Sequence, residues 1–440
     1  MARSIIRIIL GSKPSTPTEL IYSDSGIEPT SDRRDWLSSR YLVSLNQNPA
    51  NPTYESVKSL HESNESWPPR CSPSLKSVSV IIKNQGFKLF RLPAGSFDQT
   101  IKQPAPWTPP PAHIKWFPIP KSEAASNHQA VSDLFNVLLT NIQAPSTHIY
   151  TDGSVTKTPH TSSCSVFIPD LNFSQSWRLT PGSSIFSAEL HGIRKGLSRI
   201  YSADDPAPDI HLFTDSSAAI KAIASTDKPT NRCISEIRNL LSCLKSSGST
   251  TTLYWIPSHS GIAGNETADK LATAESNLPS GNVIKNELSP SEQMSILKSS
   301  WGNSVLQKLK LCNKPSVQFK TKLGITPWHH TQDRPTSTCL HRLRSGHTHL
   351  NSFSHRIDIG ADPSCRQGCA AIESIHHVLI ECTAHHSHRQ KINQFFATAN
   401  LPLNTQTLFG LNPDIDTKTQ FKINHLLSTF LSKTNLRFTA

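Results

Sequence analysis

The chain has 440 residues, more than a single hydrophobic core ordinarily supports, so two or three domains are expected. Lys and Arg number 44 against 32 Asp and Glu, a formal net charge of +12, which favours a polyanionic partner such as nucleic acid. Nine scattered cysteines argue against a disulfide-stapled secreted fold, and no apolar run approaches the ~18 residues needed to span a bilayer.

At the start, MARSIIRIILGSKPS has a basic tip, but its apolar run is short and broken by Arg7. It does not read as a signal peptide, and a cytosolic or nuclear protein is expected. Residues 1–65 show helical apolar spacing in SIIRIIL and WLSSRYLVSL, punctuated by the cap- and turn-like TPTEL and NPANPTYE, so a small helical segment is expected. From Trp67 the prolines crowd together, culminating in PAPWTPPPAHIKWFPIP, a density that neither a helix nor a central strand survives. An extended linker is expected over 66–145, closing on the helix-capable SDLFNVLLTNI.

The pattern changes over 146–277. THIYTDGS, SCSVFI, QSWRL, DIHLFTD and STTTLYWIP read as strands, with apolar and β-branched residues ahead of turn signals. SSIFSAELHGIRKGLSRI, SSAAIKAIAS, CISEIRNLLSCLKS and GNETADKLATAES read as helices. Five strands and about four helices make an α/β domain. Beyond it, 278–335 reads as a helical connector around LKSSWGNSVLQKLKL, and 336–440 as a His- and Cys-containing module. Residues 278–440 together are strongly basic while 146–277 is close to neutral, so grip on a nucleic-acid backbone is expected from the C-terminal region. A solvated basic surface with no ligand would give the same count.

Asp152 ends the first strand, Asp215 ends a later one and Glu189 lies in the helix between them, so the three acids are expected to converge at one rim of the sheet. Carboxylates brought that close repel, which implies a cation. Hard oxygen ligands without a nearby thiolate favour Mg²⁺ or Mn²⁺ over zinc. A fourth acid, Asp269, makes room for two ions, the arrangement that activates a water on one side of a phosphodiester and stabilises the leaving oxygen on the other. His259, in the Gly- and Ser-rich loop of YWIPSHSGIAGNETADK, suits a proton carrier better than a packed core group.

YTDGS, SAELHGI, FTDSSAAI and WIPSHSGIAGNETADKLA resemble, in order and spacing, the blocks of type 1 ribonuclease H over some 130 residues. Any single block is weak, since an acid after a strand is ordinarily a turn or a cap. Four together, each around the expected acid, are specific. The resemblance implies a ribonuclease H-like mixed five-stranded sheet flanked by helices. It also implies cleavage of the RNA strand of an RNA–DNA hybrid, with Asp152, Glu189, Asp215 and Asp269 as metal ligands and His259 assisting turnover. Gly153 and Ser154, next to the first ligand, are candidate contacts to the RNA strand, although a tight turn explains the glycine equally well. The basic handle that some relatives insert is replaced here by the short STDKPTNRCISEIRNLL.

In the C-terminal module, PSCRQGCAAIESIHHVLIECTAHH places Cys365, Cys369, His377 and Cys382 at C-x3-C-x7-H-x4-C spacing, with His376 a rival histidine. Three thiolates and an imidazole suit tetrahedral, structural zinc. Buried unligated cysteines are the plainer alternative. The module and HRLRSGHTHLNSFSHRI before it resemble the tail of reverse transcriptases from retrotransposons lacking long terminal repeats, where the first pair is commonly C-x2-C. The N-terminal segment resembles the region just past the polymerase core of the same elements. The chain therefore reads as the C-terminal portion of a retroelement polyprotein carrying a metal-dependent hybrid ribonuclease. A catalytically idle nucleic-acid-binding remnant is the alternative.

Overall fold

The computed structural model describes residues 2–46, 50–62, 112–157, 160–203, 208–227, 231–278, 281–311, 323–324, 333–412 and 414–439. It divides into two compact units, Ser39–Leu297 and a second that joins Met1–Ser38 to Lys298–Ala440.

The first unit is built on a seven-stranded mixed sheet. Its strands are β1 (His113–Trp116), β2 (Ser146–Lys157), β3 (His160–Ile168), β4 (Phe173–Leu179), β5 (Asp209–Thr214), β6 (Thr250–Trp255) and β7 (Val283–Ile284), in the spatial order β1-β6-β5-β2-β3-β4-β7. The meander β2-β3-β4 is antiparallel, and the remaining neighbours are parallel. The α/β class expected from the sequence holds, but the sheet has seven strands rather than five. β1 and β7 are edge strands of four and two residues, too short to leave a periodic signature, and they exist because β6 and β4 offer them unpaired backbone.

Helices cover both faces. On one, the Glu189 helix (Ile185–Tyr201) and helix Arg232–Ser246 close a core with Ile149, Val166, Leu212 and Leu253. Ser184 caps the Glu189 helix by accepting a hydrogen bond from Ser187 N at 3.2 Å. The other face is aromatic, with Tyr150, Phe213 and Tyr254 packed under helix His128–Thr140 and the Asp269 helix (Ala263–Asn277). Phe135 meets Phe213 edge-on, with ring centroids 5.2 Å apart.

Thus the segment read as linker contains, from residue 113 onward, an edge strand and a covering helix of the α/β unit. The rest of it, 66–111, lies outside the described residues, as does most of the connector after helix Pro290–Lys310.

The second unit is helical. Trp36 stacks on Trp301 with centroids 5.4 Å apart, and Asp32 pairs with Lys308 at 2.5 Å, so residues from opposite ends of the chain share one core. Its larger apolar cluster gathers Leu340, Leu343, Leu379, Phe396, Ile423 and Phe430. No helix among the described residues is long and apolar enough to cross a membrane.

Candidate active site

β2 and β5 run parallel with Thr151 opposite Thr214, so Asp152 and Asp215 stand side by side at the next position. The first strand does not end at Asp152 as expected. β2 continues along β3 to Lys157, and Asp152 marks the point where it outruns β5. Three hydroxyls of β3 hold the Asp269 helix against the sheet, with Thr161, Ser163 and Ser165 donating to the carbonyls of Ser276, Ala272 and Ala268 at 2.8, 2.6 and 2.6 Å. That role for the serine-rich TSSCS was not anticipated. Its sequence signal is an apolar strand face interrupted by small hydroxyls.

Glu189 comes from the helix above. Gly192 and Gly196 let that helix approach, since side chains there would meet the Ser165 carbonyl at 3.2 Å and Ile149 at 2.8 Å. As a result the carboxylates of Asp152, Glu189 and Asp215 have oxygens within 4.8 Å of one another. Asp152 and Glu189 are buried, and Glu189 Oε2 is sealed from solvent without a hydrogen-bond partner.

Burial, compounded by Asp215 and Asp269, pushes the Asp152 carboxyl up to about 8. Glu189 rises well above the usual range through burial and its Asp152 neighbour. Asp215 is also raised by burial, opposed by Lys121 and His259. Buried like charges around an unsatisfied oxygen are the environment that a bound divalent cation relieves, and an all-oxygen donor set fits Mg²⁺ or Mn²⁺.

Asp269 lies beside this cluster rather than within it. It is near enough to Asp152 to help push that carboxyl up. The His259 ring is 3.6 Å from Asp269 Oδ2 and largely exposed. His259 adopts φ 49°, a left-handed conformation, while Ser260 Oγ to Pro257 O at 2.7 Å and Gly261 N to Glu266 at 3.1 Å fasten the loop on its C-terminal side. The backbone is therefore held while the ring is free to turn. Ser154 reaches Asp269 through Thr273, with steps of 3.4 Å each, and the Gly153 backbone amide opposes the rise of both the Asp152 and the Glu189 carboxyls.

Residues 144–277 match the RNase H family. They form a ribonuclease H domain. No curated protein matches the chain. The ribonuclease H match begins at Ala144, so β1 and helix His128–Thr140 lie outside it although they complete the sheet and its aromatic face.

Away from the ribonuclease H domain, Cys365, Cys369, His377 and Cys382 also place their ligand atoms within 4.8 Å of one another. The extra residue of the first pair is taken up by a turn in which Gly368 sits at φ 78° and donates to the Cys365 carbonyl at 3.0 Å. His377–Glu381 forms a π-helical turn closed by Cys382 N to His377 O at 2.7 Å, which brings ring and thiol together across H-x4-C. His377 Nε2 is buried without a partner. The rival His376 points outward and pairs with Glu381 at 3.1 Å. Hydrogen bonds from Thr383 and Cys382 draw the Cys369 thiol down to about 6, and burial pushes Cys382 up to about 11. The donor chemistry and the orphaned imidazole nitrogen fit zinc.

Ser12, His341 and Asp24 line up in the helical unit at 2.7 Å per step, which has the outline of a hydrolase triad. The Ser12 N–H is spent on the Arg7 carbonyl, His341 is fully buried, and Arg344 clamps Asp24 from the other side, so the network ties helices together.

Proposed function

We propose that the chain is a divalent-metal-dependent endonuclease that hydrolyses the RNA strand of RNA–DNA hybrids. The observation that carries this reading is the convergence of Asp152, Glu189 and Asp215 around the partnerless Glu189 Oε2, within a ribonuclease H domain. Divalent ions held by these carboxylates, with Asp269 completing the set for two, supply Lewis-acid activation of the phosphodiester and of the attacking water. The protein's part is to hold four acids in a fixed frame, with the Gly153 backbone amide favouring the ionised form of two of them. His259, exposed at the rim against Asp269, carries protons to or from the reacting oxygens. Ser154, tied to Asp269 through Thr273, and Gly153 line the approach of the RNA strand.

In the C-terminal module, Cys365, Cys369, His377 and Cys382 hold a structural zinc, and the basic C-terminal region, residues 278–440, grips the nucleic-acid backbone. This closed Cys/His cluster downstream of the nuclease favours a non-LTR retrotransposon polyprotein as the chain's origin.

The test is incubation of the purified full chain with a labelled RNA–DNA duplex. Cleavage of the RNA with Mg²⁺, lost in Asp152→Asn, is expected. Intact hybrid after prolonged incubation with Mn²⁺ would overturn the nuclease reading, and salt-sensitive binding without turnover would return the chain to a binding remnant.

A further inference from the structure

We propose that Trp116, together with Lys221 and Lys121, forms a docking surface for the RNA strand being cut, engaging it about three base steps from the carboxylates. The inference rests on the hybrid-nuclease reading above.

The argument begins with register. Thr151 pairs with Thr214, Thr214 with Trp255, and Trp255 with Trp116, so the four lie in one row across β2, β5, β6 and β1. All four strands are parallel, and Asp152 and Asp215 stand one residue beyond that row. At ~4.8 Å per strand, Trp116 is about 10 Å from the β5 position that leads into Asp215, or roughly three steps of a stacked duplex at ~3.4 Å each.

Trp116 is 47% exposed although it lies on a sheet edge, where large apolar side chains are ordinarily avoided. Beneath it, the Trp255 ring lies 6.0 Å away with planes tilted by 41°, and Trp255 Nε1 donates to the Asp215 carbonyl at 3.0 Å. The aromatic pair is thus anchored to a carboxylate-bearing residue.

Positive charge lies beside the indole. Lys221 Nζ is 5.8 Å from the Trp116 ring centre, on helix Ser217–Ala224, which starts two residues after Asp215. Lys121 is exposed and opens the short helix Lys121–Ala124, five residues along the chain from Trp116. A half-exposed indole with a lysine beside its ring, continuous with a phosphodiester-cleaving rim, is the combination by which proteins hold a nucleic-acid strand, stacking on a base and pairing with its backbone.

The test measures binding apart from cutting. Full chain carrying Asp152→Asn is titrated in Ca²⁺ against a fluorescent long hybrid and against one truncated to about two base pairs beyond the scissile position. Trp116→Ala and Trp116→Leu should raise Kd for the long hybrid about tenfold, Trp116→Phe by less than about threefold, and none should alter binding of the truncated hybrid. With Asp152 intact, the same substitutions should raise KM far more than they lower kcat.

Lys221→Glu, on an exposed helix face, serves as an independent variant and should weaken binding most at low salt. Should Trp116→Ala not fold, Trp116→Leu and Lys221→Glu decide. Unchanged Kd for the long hybrid in those two variants overturns the proposal, even if the hybrid is cut normally. Loss of affinity in a chain whose parent never cuts would instead uphold the surface and sink the nuclease.

Discussion

A Cβ built on Gly153 would lie 2.8 Å from the backbone nitrogen of Glu189 and 3.0 Å from Ala188 Cβ. Strand and helix are therefore in backbone contact at the metal site, and any side chain at 153 must push the Glu189 helix away. Gly153→Ala should leave the domain folded at a stability cost of ~1–3 kcal/mol. Hybrid cleavage should fall by about a hundredfold, since ~1 Å of misplacement has that effect. Wild-type turnover in this variant would show that the spacing does not matter.

Ion-free stability should depend on pH in a direction set by Asp152 and Glu189. Both carboxyls are raised in the folded protein. Below pH ~4 they are protonated in both folded and unfolded chains and contribute nothing. As pH rises from there through about 8, the folded state retains protons that the unfolded state has lost, and stability declines. Asp152→Asn should accordingly raise the melting temperature at pH 8 but not at pH 3.5, and Mg²⁺ should stabilise wild type at pH 8 much more than the variant. Equal melting temperatures of the two proteins at pH 8 without metal would contradict this.

His259→Ala should reduce kcat by at least about tenfold, because the exposed ring beside Asp269 is removed while the carboxylate frame stays in place. KM and the Mg²⁺ concentration for half-maximal rate should change by less than about threefold. A variant with normal kcat would leave His259 without a role in turnover.

For the C-terminal cluster, one zinc per chain is expected by elemental analysis, retained in His376→Ala and lost in His377→Ala and Cys382→Ser. Cys369→Ser distinguishes the open member of the set, and a full equivalent of zinc in that variant would remove Cys369 from the ligands. Chelation should unfold the helical unit selectively, since zinc affinity of ~10 kcal/mol or more in such sites is folding free energy.

The acids were legible in the sequence because each sits next to a strand or helix with a clear period, and their order and spacing carry the rest. Trp116 was not. HIKW follows a proline-dense run, and four residues cannot display alternation, so its strand character comes entirely from pairing with β6. SDLFNVLLTNI was readable as a helix, but periodicity does not say which sheet face a helix covers, so its place over Tyr150 and Phe213 left no mark in the sequence. On spacing His377 is already the preferred histidine, with His376 its rival, but the π-helical turn that brings its ring to the cysteines has no sequence signature. The association of residues 1–38 with 298–440 leaves no local trace, since its contacts join positions some 270 residues apart, as in Trp301 with Asp32.

That discontinuity bears on how the molecule is made. During synthesis at ~5–20 residues per second, Ile6, Leu20 and Ile21 leave the ribosome tens of seconds before Val305 and Leu309, the side chains that will cover them, have been polymerised. The intervening nuclease can complete its sheet in that interval, whereas helices Ala2–Leu10 and Thr18–Ser25 wait for Val305 and Leu309. Chaperone dependence of nascent chains should therefore concentrate at those two helices rather than in the catalytic domain.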